Sequence, residues 1–190
     1  APQFLLVHSS VPATSFKDFI ALAKKHSGNL NAGSGGTGTA NHLAIEMLKQ
    51  RSGIGVTHIP YKGTNPVTMA LLGGEIDFSF AGALSALPYI RSGKLRALAV
   101  TTPKASPMAP GVPTLASFYP GFESANWFAV FAPAGTPAAI VNKISSEIVT
   151  ALKSPEIRDF MTKEGAEPVG STPQEFSAYF KNEVERYAKV

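Results

Sequence analysis

The chain of 190 residues contains no cysteine. Structural disulfides, thiolate metal sites and cysteine nucleophiles are therefore excluded, although the compartment stays open because many exported proteins also lack cysteine. Long apolar runs are missing too: FLLV at 4–7 and FAVFA at 128–132 have strand length, far below the roughly 20 apolar residues of a membrane-spanning helix. We therefore expect no direct insertion into a membrane.

Charged residues are also few: they make up 16% of the chain, and the net charge is only +4. The longest basic cluster is Lys24, Lys25 and His26, so a nucleic-acid partner is not expected. A mildly basic surface favours small anions modestly. The first ten residues, APQFLLVHSS, lack the features of a signal peptide. We expect any targeting segment to have been removed or to lie outside this chain.

Apolar patterning predicts an alternation of strands and helices. Strands are expected at 4–7, 30–32, 55–59, 75–80, 95–101 and 127–132. Helices are expected to begin near Ser15, Thr39, Asn65, Leu84, Thr136, Ser154 and Thr172. Capping boxes are expected for the first and the last of them, formed by Ser15 with Asp18 and by Thr172 with Glu175. Asn65 and Pro66 are expected as N-cap and first residue of a helix that ends at Gly73-Gly74, and the alternating strand at 75–80 is expected to be half-buried. This succession favours an α/β fold with a mostly parallel sheet.

Five prolines interrupt residues 102–124 and forbid long regular elements there. We place a connection between two parts of the protein near the end of this stretch. The second part, 125–190, would contain one strand and three capped helices, whose apolar stripes need a surface to cover. Such a part makes a poor independent domain, so we expect it to pack on a lobe that this chain includes only partly.

The sharpest local feature is the glycine loop, residues 33–39 (GSGGTGT), which runs into a helix. Free N–H groups and the positive dipole end at a helix N-terminus form an anion site, and glycines let an oxyanion approach closely. Ser34, Thr37 and Thr39 could add hydroxyl donors. The alternative is a flexible loop capped by Thr39 without a ligand.

Other interpretations of the loop fit the sequence less well. Gly33, Gly35 and Gly38 satisfy GxGxxG, but the strand before them is short, and the next strand ends in Pro60 where a dinucleotide site needs an acidic residue. A P-loop is excluded because Gly38 is followed by Thr39 rather than lysine. No GxSxG nucleophile elbow occurs.

Histidine and aromatic residues offer further candidates. His42 and Glu46 are four apart on a predicted helix, yet no HExxH motif occurs, so a packing role is favoured over a metal site. Tyr61 and Lys62 follow a strand, as ligand-facing residues do in open α/β sheets, or form a plain turn. The single tryptophan, Trp127, is expected in the core. Neither a metal nor a cofactor is expected.

Several sequence blocks follow one another with a consistent order and spacing along nearly the whole chain. They include residues 31–44, 58–63 (HIPYKG), 71–74, 93–101 (GKLRALAVT) and 131–137 (FAPAGTP). Together they resemble the receptor family of tripartite tricarboxylate transporters, often called Bug proteins. The YKG, GKLRALAVT and FAPAGTP blocks are specific enough together that chance is a poor explanation.

The resemblance implies a two-lobed, periplasmic-binding-protein-like (type II) α/β architecture that closes about a hinge. Here one lobe would be near complete and the other partly present: 1–124 as the middle ligand-binding lobe with crossover segments, and 125–190 as the return strand and C-terminal helices of the first lobe. The chain would be truncated at its N-terminus. The implied function is periplasmic capture of a small mono- or dicarboxylate for membrane transporter subunits, without catalysis. The residues alone leave open an enzyme acting on a carboxylated or phosphorylated metabolite.

The resemblance also implies ligand-binding residues. The family loop that holds one carboxylate matches four residues here: Ser34, Gly36, Gly38 and Thr39. His42 matches a histidine on the helix behind that loop. Ala81 and Gly82 stand where family members often have Asp-Asn, which argues against a ligand with an amine. The full set of expected ligand-binding residues is Ser34, Gly35, Gly36, Thr37, Gly38, Thr39, His42, Tyr61 and Ala81.

Overall fold

The computed structural model of the protein describes residues 1–163, 165–188 and 190. The chain forms two compact units, Ala1–Asn126 and Trp127–Val190. The sequence places a division after residue 124, and the assignment of the two parts to two lobes of a receptor stays a prediction. Among the described residues, no helix combines the length and the apolar character needed to cross a membrane.

A five-stranded sheet forms the centre of the first unit. Its strands, in the spatial order β3-β2-β4-β1-β5, are β1 (Gln3–His8), β2 (Asn31–Ser34), β3 (Thr57–Pro60), β4 (Phe78–Gly82) and β5 (Leu95–Val100). β2 pairs in parallel with β3 and β4, whereas β1 runs antiparallel to β4 and β5. The expected mostly parallel α/β sheet is confirmed, with one antiparallel strand in its interior.

Four helices connect these strands. They are α1 (Phe16–Lys25), α2 (Ala40–Ser52), α3 (Thr64–Leu72) and α4 (Ala83–Arg91). The predicted capping box begins α1: Ser15 Oγ accepts the Asp18 N–H, and the Asp18 carboxylate accepts the Ser15 N–H. Residues 102–124 form the expected irregular connection, with a short 3₁₀ turn at Leu115–Ser117.

Helices cover both faces of the sheet. Phe4 and Leu6 of β1 lie in one apolar cluster with side chains of α3 and α4. On the opposite face, Phe78 of β4 meets Phe19 of α1 edge-on, with ring centroids 5.0 Å apart. Burial of these large side chains supplies the main driving force for folding this unit.

The strand β4 differs from its prediction. A half-buried strand is expected at 75–80, but the strand begins at Phe78, and Phe78, Ser79 and Phe80 are all fully buried. The reason is its position between β2 and β1 with helices on both faces. The prediction of a half-buried strand from its alternating polar and apolar residues was therefore wrong.

The start of α3 also differs. Asn65 and Pro66 are expected as N-cap and first helical residue, whereas the helix begins at Thr64 with Gly63 at the N-cap. Pro66 lies in the first turn, where its missing N–H is not needed for a helical hydrogen bond. The predicted end of the helix at the Gly73-Gly74 pair is confirmed, since Gly73 is the C-cap.

The described residues of the second unit form three helices, α5 (Ala138–Lys153), α6 (Pro155–Lys163) and α7 (Pro173–Tyr187). The predicted capping box of α7, formed by Thr172 and Glu175, is present. Pro137, rather than Thr136, occupies the N-cap of α5. The indole of Trp127 packs edge-on against three rings of α7: Phe176, Tyr179 and Phe180.

The predicted return strand at 127–132 is absent from this structure. None of the described residues pairs with this segment in a ladder, and Phe128, Val130 and Phe131 are 88%, 72% and 62% exposed. A strand needs a neighbour to satisfy its backbone N–H and C=O groups, so apolar composition alone does not make one. The prediction of a strand in 125–190 was therefore wrong for this chain.

Candidate anion-binding site

Three parallel strands end at the same edge of the sheet in the first unit. β2 ends at Ser34, β3 at Pro60 and β4 at Gly82, and the helices α2, α3 and α4 begin within six residues of these ends. The positive ends of three helix dipoles therefore lie along one edge. This topology brings the glycine loop, Tyr61 and Ala81 to one side of the first unit, as the predicted site requires.

The turn after β3 fixes the shape of the glycine loop. The Tyr61 N–H donates to Ser34 O at 2.8 Å, and the Gly63 N–H donates to Gly35 O at 3.0 Å. A Cβ on Gly35 would lie 3.3 Å from the carbonyl carbon of Gly63, so only glycine allows this approach without a shift. Gly36 has φ +133°, a conformation that side chains rarely adopt.

Several loop amides bond to side chains of the protein. The Gly36 N–H donates to Ser34 Oγ at 3.2 Å, and the Gly38 N–H donates to His42 Nδ1 at 3.1 Å. Asn41 Oδ1 accepts the Gly35 N–H at 3.4 Å and the His42 N–H at 3.2 Å. These amides face the protein rather than a ligand.

Three other amides are open. Among the described residues, none accepts a hydrogen bond from the N–H of Thr37, Ala40 or Asn41. Ala40 and Asn41 are the first two residues of α2, whose N–H groups have no partner within the helix. They mark the positive end of the dipole of a 13-residue helix, next to the loop. Amides without a partner at such a position can donate to an anion.

Thr39 orders the loop without capping α2 by its side chain. It occupies the N-cap position, but its hydroxyl makes no cap hydrogen bond; Gly36 O and Asn41 Oδ1 each lie 2.6 Å from Thr39 Oγ1. The single hydroxyl proton can serve one of these acceptors at a time. The alternative, a flexible loop capped by the Thr39 side chain, differs from this structure. Thr39 makes no cap hydrogen bond, and side chains of Ser34, Asn41 and His42 bond to the loop backbone.

A histidine that sequence reasoning passed over lies directly behind the loop. His58 Nε2 is 2.6 Å from Ser34 Oγ, and the His58 ring stacks on His42 with ring centroids 4.0 Å apart. Burial lowers the pKa of His58 below its ordinary value, and the neighbouring His42 lowers it further. His42 Nε2 lies 3.7 Å from the carboxylate of Glu46, which also pairs with Lys49.

The sequence alone gives little indication that His58 and Asn41 contact the glycine loop. His58 is visible as a polar residue in a short strand, but its meeting with Ser34 depends on the parallel register in which Ser34 lies opposite Pro60. Asn41 is a helix residue beside His42 with no motif of its own. A prediction of which strand neighbours β2 would have been needed to find His58.

The predicted site residues differ in exposure. Ser34 is fully buried, Thr37 and Gly38 are exposed, and Gly35, Gly36, Thr39 and His42 are half-buried. The side chain of Ala81 belongs to the apolar core, so its backbone alone could reach a ligand. The Tyr61 side chain packs against the same core, and burial, with a smaller effect of Glu75, raises the pKa of its hydroxyl.

The pairing of Ser34 with His58 bears on catalysis. The sequence contains no GxSxG nucleophile elbow, yet the structure places the Ser34 hydroxyl 2.6 Å from the His58 imidazole. The Ser34 side chain is fully buried and also contacts Gly36, so it is not presented to a substrate carbonyl. In the described part of the chain, no three His, Asp or Glu side chains are grouped to hold a metal ion.

Comparisons with known proteins identify the class of fold. The R. palustris protein Rpa4515, solved with adipate, matches with a TM-score of 0.91 and 34% identity over 99% of this chain and 63% of its own. MatC from Rhodopseudomonas palustris, solved with malate, matches with a TM-score of 0.89 and 29% identity over 98% of this chain and 65% of its own. The fold is that of periplasmic binding proteins of the TctC type.

The sequence comparisons give the family. Protein BugT of Bordetella pertussis is 34% identical over 190 residues, which are 100% of this chain and 58% of BugT. A family model described as tripartite tricarboxylate transporter family receptor matches residues 1–190. The chain belongs to this receptor family, which confirms the resemblance seen in the sequence. It spans about three fifths of the length of these relatives.

Proposed function

We propose that the protein is a periplasmic receptor that binds a small mono- or dicarboxylate and presents it to the membrane subunits of a tripartite tricarboxylate-type transporter. Family membership supports this role, and two solved relatives contain the dicarboxylates adipate and malate. The glycine loop would hold one carboxylate of the ligand. The receptor makes and breaks no bonds in the ligand; closure of its lobes around the ligand would present it to the transporter.

The open amides of Thr37, Ala40 and Asn41 carry this proposal. A carboxylate offers two oxygens with about four lone-pair sites, which suits a small group of N–H donors. Hydrogen bonds from N–H groups to an ionised acceptor are stronger than neutral ones, and the dipole of α2 favours the negative charge. The net charge of +4 is compatible with an anionic ligand.

The substitution Ala40→Pro tests the proposal with little disturbance. Ala40 is the first residue of α2, a position where proline is well tolerated, and Thr39 before it has φ −70° and ψ 159°, which proline accepts. The change therefore removes one open N–H and leaves the helix in place. We expect NMR-detected titrations with malate and adipate to show binding about tenfold weaker.

Ala138→Pro is the matched control, since Ala138 is the first residue of α5 and Pro137 before it has φ −55° and ψ 135°. It should leave both affinities unchanged. Inorganic phosphate and sulfate are titrated in parallel to separate carboxylate binding from general anion binding. Equal affinity of wild type and Ala40→Pro for every carboxylate tested would exclude this set of amides as the site.

We also propose that the two units are parts of different lobes, with residues 1–124 in the ligand-binding lobe and 125–190 in the other. Apolar side chains of the second unit support this: Ile140, Ile144 and Ile148 of α5 are 50%, 48% and 36% exposed. Such a surface is typical of one that packs on further protein. In a protein of the relatives' length, Ile144→Asp should lower the thermal midpoint, whereas in the 190-residue chain it should change little.

The contact between Ser34 and His58 favours one alternative function, an enzyme. A hydrolase acting on a carboxylated or phosphorylated metabolite would use Ser34 Oγ as nucleophile and His58 as base. The complete burial of Ser34 argues against it. The receptor proposal predicts no hydrolysis of p-nitrophenyl acetate or p-nitrophenyl phosphate above buffer, and turnover that disappears in Ser34→Ala would favour the enzyme.

A further inference from the structure

We propose that His58 is a positioning residue of the glycine loop: through the Ser34 hydroxyl it decides which loop amides face the ligand. The inference rests on the proposed carboxylate-binding function of this loop and adds a residue to it. His58 lies on β3, outside the loop, and it would not itself touch the ligand. It would act by holding Ser34 Oγ at the position from which the Gly36 amide is bound.

A short chain of contacts links His58 to the loop backbone. His58 Nε2 lies 2.6 Å from Ser34 Oγ, and Ser34 Oγ accepts the Gly36 N–H at 3.2 Å. Ser34 is fully buried, and its Oγ lies within hydrogen-bond distance of only His58 and the Gly36 backbone among the described residues. Burial lowers the pKa of His58 and so favours the neutral imidazole. In the Nδ1–H tautomer, Nε2 accepts the Ser34 hydroxyl proton in place of Gly36 O, which lies 3.1 Å from Ser34 Oγ, and the oxygen lone pairs are left to the Gly36 N–H.

The second imidazole completes the arrangement. His42 Nδ1 accepts the Gly38 N–H at 3.1 Å, and the His42 ring stacks on His58 at 4.0 Å. Two amides of the loop, those of Gly36 and Gly38, are therefore held inward by imidazoles, one through Ser34 and one directly. The Thr37 amide between them has no acceptor among the described residues. The stacked imidazoles therefore hold the amides of Gly36 and Gly38 inward and leave the Thr37 amide between them available to a ligand.

Charged groups near the pair are few in the described chain. Glu46 and Lys49, on the same helix as His42, face the imidazoles and form an ion pair with N···O 2.8 Å. Among the described residues, no carboxylate is within hydrogen-bond distance of His58. The role of His58 is therefore geometric, a hydrogen-bond acceptor at one point, rather than the supply of a positive charge.

Four variants test the proposal: His58→Leu, His58→Gln, Ser34→Ala and the double variant Ser34→Ala/His58→Leu. Glutamine places a polar atom near the position of Nε2 and keeps an acceptor, whereas leucine removes it. Two measurements are made on each folded variant. The first is the amide ¹H and ¹⁵N shifts and hydrogen exchange of Gly36, Thr37 and Gly38 without ligand; the second is titration with malate and adipate.

The loss of the acceptor in His58→Leu should shift the Gly36 amide, speed its exchange and weaken dicarboxylate binding about tenfold. His58→Gln should restore most of both. The double variant should be no worse than Ser34→Ala alone, because His58 acts through that hydroxyl. His8→Leu is the matched control: His8 Nδ1 lies 2.7 Å from Ser10 Oγ in an exposed pair outside the loop, and its loss should leave the loop amides unchanged.

Three outcomes would overturn the proposal. They are an unmoved Gly36 amide in a folded His58→Leu variant, additive effects in the double variant, or equal losses in His58→Leu and His58→Gln. The ligand-free amide measurements keep the test independent of the proposed function. If wild type binds no dicarboxylate, the proposed function fails while the shifts still decide whether His58 positions the loop.

Discussion

Single residues of the glycine loop determine its shape through backbone conformation and close contact. Gly36 and Gly38 have φ +133° and +79°, and Gly35 packs on Gly63. The glycine-rich pattern therefore reflects three separate constraints rather than general flexibility. An ordered loop holds its donors in place before a ligand arrives, which reduces the entropy lost on binding.

Replacing Gly36 by alanine tests this constraint. A side chain at φ +133° is strained, and we expect Gly36→Ala to lower the free energy of unfolding by about 1–3 kcal/mol. Chemical denaturation measures the change. Gly82→Ala is the control, since Gly82 has φ −66° and open space around its Cβ position, and it should cost less than about 1 kcal/mol. Equal costs at the two sites would contradict the strained geometry.

His58 should make stability depend on pH. Burial holds the pKa of His58 in the folded protein below its ordinary value of 6.5, so the unfolded chain binds more protons between these two values. Stability should therefore be fully present above about pH 6.5 and decrease as pH falls through the lowered pKa. Thermal midpoints measured from pH 7.5 to 5 should decline less in His58→Gln than in wild type. Identical slopes would show that His58 does not titrate in this way.

At the residue scale, the sequence predicts contacts between residues that are close along the chain and misses those between distant ones. The glycine loop and His42 are within ten residues of one another, so a local pattern reveals them. His58 and Ser34 are 24 residues apart and meet only through the register of two parallel strands. Side-chain partners across strands depend on register, which a single sequence specifies weakly for strands of four residues.

At the scale of elements, capping signals predicted helix starts well where the cap itself makes the hydrogen bonds. The capping boxes at Ser15 and Thr172 are both formed. Thr136 and Asn65 have the right residue types, yet neither is the N-cap. Strands were harder to predict, since the segment 127–132 is apolar but has no neighbour to pair with among the described residues.

Ser15→Ala should lower the free energy of unfolding by about 1 kcal/mol, because the Ser15 hydroxyl accepts an N–H at the start of α1. Chemical denaturation of the whole chain measures this. Thr136→Ala is the matched control, since Thr136 precedes a helix without being its N-cap, and it should have a smaller effect. A larger loss in Thr136→Ala would mean that the structural assignment of the caps is wrong.

At the scale of the molecule, the order of elements decides where function can lie. Three neighbouring parallel strands put the starts of α2, α3 and α4 at one sheet edge, and ligands of open α/β sheets bind beyond the carboxyl ends of the strands. The mostly parallel sheet was predictable from alternating strand and helix patterns. The antiparallel direction of β1 was not, because its pairing with β4 and β5 joins segments some 70 to 100 residues apart.

The most direct test of the carboxylate site is a titration of the ¹⁵N-labelled chain with malate, following every backbone amide. We predict saturable shifts that are largest at Thr37, Ala40 and Asn41, together with their neighbours in the glycine loop. Saturable binding with unmoved amides at these three residues, or no binding of any small carboxylate by the folded protein, would contradict the central claim.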